Sequence, residues 1–310
     1  MKYNIIISFI DYIIYKFLLY ADLLTKFIRF DSVIMFPISF YIGLILIGIV
    51  AGFASGLLGV GGGFLIVPLQ FFLFTSVGVD PSLAMMVSLG TSLAIIIPTA
   101  SSGAYQHQKK NKSILKPGIR LAIFGILGGF CGGILANSIP TRILQIIFAC
   151  LLFIIALDML FGSRSDGEKA LIEFNLLNAA IVGFSIGIIS GLFGVGGGVF
   201  LIPALCIFFG FTLIQAIGTS SVFIAFTAIG GLISYIYTGF GVNPMPYSLG
   251  YVSLINFVLI VMFSVPMATI GAKLVYRMPE KRLKQVFAIV LIYMAIKMIG
   301  FDPIAILLGL

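Results

Sequence analysis

The sequence predicts an all-α polytopic membrane protein made of two inverted-topology repeats, each a glycine-broken helical hairpin plus about three spanning helices. Three observations predict it. The 310 residues are 61% hydrophobic and only 9% charged, with a mean hydropathy of +1.22, whereas soluble domains carry about 25% charged residues. A glycine-rich segment recurs: residues 56–68 read Gly-Leu-Leu-Gly-Val-Gly-Gly-Gly-Phe-Leu-Ile-Val-Pro, and residues 191–203 read Gly-Leu-Phe-Gly-Val-Gly-Gly-Gly-Val-Phe-Leu-Ile-Pro. The two copies keep one offset from end to end, 56 matching 191 and 68 matching 203. Finally, loops at equivalent places in the two halves differ in positive charge.

Residues 1–32 stand apart. Ile5 to Leu24 is apolar but interrupted by Asp11, Lys16 and Asp22, then followed by Lys26, Arg29 and Asp31. It has no small-residue cleavage site, which argues against a removable signal peptide. Three readings stay open for 1–32: a poor spanning helix, an amphipathic helix on the membrane surface, or a stretch ahead of a true start at Met35.

From Phe36 the pattern is regular. The first repeat, 33–162, holds an apolar run to Leu58, the glycine break and a shorter run from Phe64 to Val77. Spans follow at 82–105, 118–138 and 141–161, with the polar residues 106–112 as a loop. A charged connector, 163–174, is expected on the cytoplasmic side. The second repeat, 175–310, has runs at 175–193 and 199–211, then spans at 213–238, 248–275 and 282–300. The likeness persists late, where Pro140, Leu144, Phe148 and Ala149 match Pro279, Leu283, Phe287 and Ala288. The spans suit a helix crossing hydrocarbon, which needs about 20 residues, and runs apolar on every face exclude the alternation of barrel strands.

Charge fixes the expected orientation. Lys109, Lys110, Lys112 and Lys116 mark the 106–117 loop as cytoplasmic, while its counterpart at 239–247 is uncharged. Conversely, the 139–142 loop has only Arg142, and its counterpart has Arg277, Lys281, Arg282 and Lys284. The halves are therefore expected upside down relative to each other. Inversion needs an odd number of crossings per repeat, which three spans plus a hairpin folded at the glycines supply. The net charge of +8 is explained by these loops, so nucleic acid is not an expected partner.

Non-helical backbone at membrane depth is tolerated where protein or a water-filled cavity satisfies it. Gly59, Gly61, Gly62 and Gly63 with Gly194, Gly196, Gly197 and Gly198 are therefore candidate substrate-binding residues lining a central cavity. Glycine backbones approach a ligand closely and present N–H groups, and each following short helix adds a positive dipole end. The competing reading is close helix packing. A nucleotide loop is excluded, since no Walker lysine follows and no strand precedes. Thr91, Ser92, Thr219 and Ser220, in matched Gly-Thr-Ser triplets, are candidates to complete an oxyanion site. The alternative there is hydroxyls bonding back to their own helix. Gln70, Asn178, Gln215 and Asn256 are further polar candidates of low specificity. Asp158 and Lys297, at equivalent late positions, are expected to snorkel rather than pair.

Cys131, Cys150 and Cys206 read as small buried hydrophobes. With one histidine, His107, placed in a loop, no metal site and no cofactor are expected.

The paired glycine motifs and the Gly-Thr-Ser triplets resemble the TauE/SafE family of sulfite exporters over residues 36–300. That resemblance implies a multispanning inner-membrane transporter of sulfite or related organosulfur anions, with the eight glycines as its central motif. The function expected is a secondary transporter of a small anion, working by alternating access around a midplane site, and not an enzyme. An anion channel with a glycine-lined filter, or a non-transporting scaffold, are the alternatives. Oligomeric state, coupling ion and direction are not legible.

Overall fold

The computed structural model describes residues 36–110, 112–161, 170–242, 245–274 and 280–301. The N-terminal segment 1–32, most of the connector and Arg277 lie outside these residues. Ten α-helices run through them. They are α1 (Ile38–Leu58), α2 (Gly63–Ser76), α3 (Pro81–Lys110), α4 (Leu115–Ser138), α5 (Thr141–Phe161), α6 (Leu176–Phe193), α7 (Gly198–Phe209), α8 (Leu213–Thr238), α9 (Leu254–Leu274) and α10 (Glu280–Ile299). Seven of them, α1, α3 to α6, α8 and α9, are long and apolar enough to cross a membrane. The chain is an all-helical multi-pass membrane protein.

Side-chain size separates the inward from the outward face on α4, whereas on α1 large apolar residues lie on both. On α1, Ile38, Ile42, Leu46 and Val50 are exposed at a spacing of four, while Phe40, Leu44, Ile47 and Ala51 are buried. On α4, Ile123, Leu127 and Leu135 face out, while Gly125, Gly128, Gly129, Gly132 and Gly133 face in. Lipid removes the usual drive to hide large apolar groups, so close approach of small residues governs packing instead.

Each glycine break folds its helices into a hairpin. Phe40 and Phe74, on opposite arms, have ring centroids 5.6 Å apart, and Gly62 at the turn faces the carbonyl of Ala51. In the second hairpin Phe174 and Phe209 meet edge to face with ring centroids 5.0 Å apart, and Ile172 N–H donates to Phe208 O at 3.0 Å. The short arms α2 and α7, of 14 and 12 residues, extend about 21 and 18 Å, against roughly 30 Å of hydrocarbon. They end inside it.

Helices of one half pack on those of the other. α4 runs parallel to α6, with Leu121 against Gly183, Gly125 against Gly187 and Gly129 against Gly191. α9 runs parallel to α1 in the same manner, with Ile260 against Gly48, Ser264 against Gly52 and Ala268 against Gly56. α3 and α8 cross the middle in opposite directions: Gly90 lies by Tyr235, and Gly218 lies by His107. α5 and α10 pack together at the periphery.

Two element boundaries differ from expectation. The polar stretch at 106–110 is helical, the end of α3, and His107 is buried rather than in a loop. Nothing in Gln-His-Gln-Lys-Lys breaks a helix, and its lysines suit a helix C-terminus. The span expected from 248 starts only at Leu254, because Ser248–Leu249 and Val252–Ser253 form a two-residue antiparallel ladder around Gly250, which has φ 57°.

Candidate functional site

The two glycine turns have the same backbone. α1 ends where Gly59 adopts φ 66°, its N–H donating to Ser55 O at 2.9 Å. Gly61 and Gly62 follow at 81° and 75°. Gly194, Gly196 and Gly197 take 64°, 82° and 78°, so each turn repeats the other's left-handed geometry. A side chain in this region costs about 1–2 kcal/mol per residue. Gly63 and Gly198 are glycine for another reason: they lie where the turns touch. A Cβ on Gly63 would meet Gly194 O and Val195 Cα at 2.7 Å, and one on Gly198 would meet Val60 Cα at 2.8 Å.

The serines of the Gly-Thr-Ser triplets tie the turns together crosswise. Ser92 Oγ on α3 donates to Gly194 O at 2.8 Å, and Ser220 Oγ on α8 reaches Gly59 O at 2.7 Å. Ser220 also lies 2.9 Å from Ile217 O of its own helix, so the bond back to its own helix is realised beside the bond across to Gly59. A hydroxyl has a single proton, and here it serves a carbonyl. Thr91 Oγ1 accepts from Ser253 N–H at 2.9 Å, while Thr219 Oγ1 is buried with no hydrogen-bond partner among the described residues. The two turns and the two serines thus meet in one region, the serines as struts of the turns, while Thr91 is turned to Ser253.

What the turns leave open is backbone N–H. The carbonyl of Gly62 accepts from Leu65 and Ile66, and that of Gly197 from Phe200 and Leu201. No hydrogen bond among the described residues engages the N–H groups of Gly61, Gly62, Gly63 and Phe64, or of Gly196, Gly197, Gly198 and Val199. The six glycines concerned are buried. Two helix N-termini, each with its positive dipole end, therefore face one another inside the protein. Pro68 and Pro203 lie inside α2 and α7, and each removes a bond to the carbonyl four residues back, at Phe64 and Val199.

Apolar groups close the centre. Ile224 Cγ2 would lie 2.9 Å from a Cβ on Gly61 and 2.6 Å from one on Gly196, with Ile96 Cγ2 at 3.5 and 3.4 Å. Ile96 and Ile224 are a matched pair, each four residues past its triplet's serine. Beside them is a cleft of about 30 Å³ lined by Val60, Phe64, Val199, Ile202 and Asp158 among others, room for a water or two. Asp158 is half-buried there, at the feet of both short helices, and not only a snorkelling residue. The sequence signal was its charge within a spanning run. Lys297 has Nζ 5.0 Å from the Phe72 ring centroid.

Other polar candidates divide. Asn178 lies in the first turn of α6, its N–H capped by Asn175 Oδ1 at 2.8 Å and its Nδ2 donating to Glu173 O at 2.9 Å. Gln215 forms a reciprocal capping box with Thr212. Gln70 and Asn256 are buried and bonded to each other. Of the cysteines only Cys206 is buried; Cys131 and Cys150 are exposed, correcting the expectation, because the outer faces of α4 and α5 are turned to lipid, where a small apolar thiol is tolerated.

A family model described as sulfite exporter TauE/SafE matches residues 44–298. The chain belongs to the TauE/SafE family. Among curated relatives of this TauE/SafE chain, a probable membrane transporter protein of Haemophilus influenzae is 36% identical over 255 residues, covering 82% of this chain and 96% of the relative. One from Methanocaldococcus jannaschii is 29% identical over 277 residues, 88% and 98% of the two chains. The Bacillus subtilis protein YdhB, also named a probable membrane transporter, is 31% identical over 245 residues, 78% and 93%. No solved structure matches. The protein is a membrane transporter and not an enzyme.

Proposed function

We propose that the protein is a secondary transporter of a small anion, sulfite or an organosulfonate, working by alternating access about the paired glycine turns. One observation carries this reading: two helix N-termini meet in the buried centre with their first N–H groups lacking protein acceptors among the described residues. An anion there needs no buried lysine, since several N–H dipoles and two helix dipoles share its charge. In the described conformation Ile96 and Ile224 fill the space between Gly61 and Gly196, so admitting an anion requires the halves to move apart on one face. Such rocking about a fixed site is how duplicated carriers work.

The division into repeats 33–162 and 175–310, inverted in the membrane, belongs to the same proposal. The opposite directions of α3 and α8 support it, as does the exchange of helices between halves. The lysine-rich end of α3 is then cytoplasmic, in a cell inner membrane. Within this reading Ser92 and Ser220 hold the turns that cradle the anion.

The test is flux of radiolabelled sulfite, sulfate, thiosulfate and sulfoacetate into vesicles holding wild type, Gly62→Leu or Gly197→Leu. Expected is saturable, trans-stimulated uptake of at least one anion, lost in both variants. Undiminished flux in correctly folded variants refutes the anion cradle, and unitary currents in place of trans-stimulation refute the carrier.

A further inference from the structure

Outside the glycine turns, buried and half-buried polar groups join helix to helix: Thr99 with Ser264 and Ser102 with Thr269 tie α3 to α9, and a second set includes amides. Gln70 lies two turns along α2 from Gly63 and is 0% exposed. Asn256 Nδ2 of α9 donates to Gln70 Oε1 at 3.1 Å, and Gln70 Nε2 has no partner among the described residues. Asn256 N–H reaches Ser253 Oγ at 3.5 Å, and Ser253 N–H donates to Thr91 Oγ1 at 2.9 Å. The next residue, Ser92, holds Gly194 of the second turn. The four residues form a polar file from the central turns toward the face opposite the lysines, since Thr91 is about 28 Å of helix from Lys110.

Burying an amide N–H₂ without an acceptor is costly, and polar side chains at membrane depth are rare without a function. The architecture does not demand it. At the matching place in the second hairpin, seven residues after Gly198, stands Leu205, fully buried in the apolar core. The file is a property of one side of the molecule alone.

We propose that Gln70 and Asn256 form a second oxyanion-binding step, which the transported anion meets between the glycine turns and the face bearing the turn after α2. This rests on the anion-transport reading above. Gln70 Nε2 supplies the first donor, and Asn256 Nδ2, released from Gln70 as the half opens, supplies the second. Neutral amides hold an anion without trapping it, as a step on a path must. Because Leu205 replaces Gln70 in the other half, the step makes the transporter asymmetric in apparent affinity.

The test compares wild type with Gln70→Leu combined with Asn256→Leu, which removes the amide bond without orphaning a partner. Counterflow of labelled sulfite, sulfate, thiosulfate and sulfoacetate is measured in vesicles of both orientations. Expected is a rise in KM of about ten-fold on the face opposite the lysines, with kcat and the other face's KM little changed. Gln70→Met alone, which keeps the volume, gives the same reading should the double variant fail to fold. Unchanged KM on both faces, or equal loss of kcat on both, means the amides are only a clamp and overturns the inference. Absence of saturable wild-type flux for all four anions overturns the transport reading too, so the two failures are distinguishable.

Discussion

Glycines that look alike in the sequence do different work, and substitution separates them. Gly62 has φ 75°, and a Cβ there would meet Ala51 O at 2.7 Å. Gly78 has φ 85°, but nothing lies within 4 Å of its Cβ position. Gly62→Ala is therefore expected to lose transport and thermal stability together, while Gly78→Ala costs only backbone strain of about 1–2 kcal/mol and keeps transport. Equal loss of flux in both would show that the turn's conformation and not its contacts matters. The serine struts are read in the same way. Ser92→Ala and Ser220→Ala each strip a donor from a turn carbonyl, at about 1–3 kcal/mol apiece, measured by thermal unfolding in detergent. A change under about 0.5 kcal/mol, the level of an ordinary surface substitution, would mean that the carbonyls find other donors.

Helix lengths were legible because apolar runs long enough to span hydrocarbon end at glycine, proline or charge. Helix partners were not. Runs apolar on every side carry no stripe to say which face meets which neighbour, so nothing in the sequence said that α4 lies along α6 or α9 along α1. The positions of Gly125, Gly129, Gly187 and Gly191 held that information only once their register was known. The repeated motifs pointed to the two turns but not to how their serines bond: hydroxyls next to glycine suggested ligands, whereas Ser92 and Ser220 bond carbonyls of the opposite half, at Gly194 and Gly59. The α4–α6 contact yields a direct expectation. A Cβ on Gly187 would lie 2.5 Å from Gly125 O and 3.0 Å from Gly125 Cα, both backbone atoms with no rotamer to yield. Gly187→Leu should part the two helices and prevent recovery of monodisperse protein. Ile181→Leu, on the exposed face of the same helix, should change stability by less than about 0.5 kcal/mol. Normal recovery of Gly187→Leu, judged by size-exclusion chromatography, would show that this crossing is not tight.

At the scale of the whole molecule, the proposed inverted arrangement rests on a count of crossings that labelling can check. Each hairpin returns to the face it entered from, because its arms pack antiparallel, so α3, α4 and α5 supply three crossings before the second half starts. The loop after α3 and the loop after α8 are equivalent in sequence, and they must then lie on opposite faces. The turn after α2 must share a face with the loop after α8. Ser76, Lys109 and Val242 mark these three places, and all three are exposed. In a background with Cys131, Cys150 and Cys206 replaced by alanine, Ser76→Cys and Val242→Cys should react with a membrane-impermeant maleimide added from one face. Lys109→Cys should react only from the other, the cytoplasmic face if its lysines set the topology. The result does not depend on which anion is carried, because crossing number is a property of the fold. Labelling of Lys109→Cys and Val242→Cys from the same face would place equivalent loops together and rule out inversion. The two N-termini of α2 and α7 would then point the same way, and the head-to-head meeting of dipoles that lets a buried anion be held without a lysine would be lost with it.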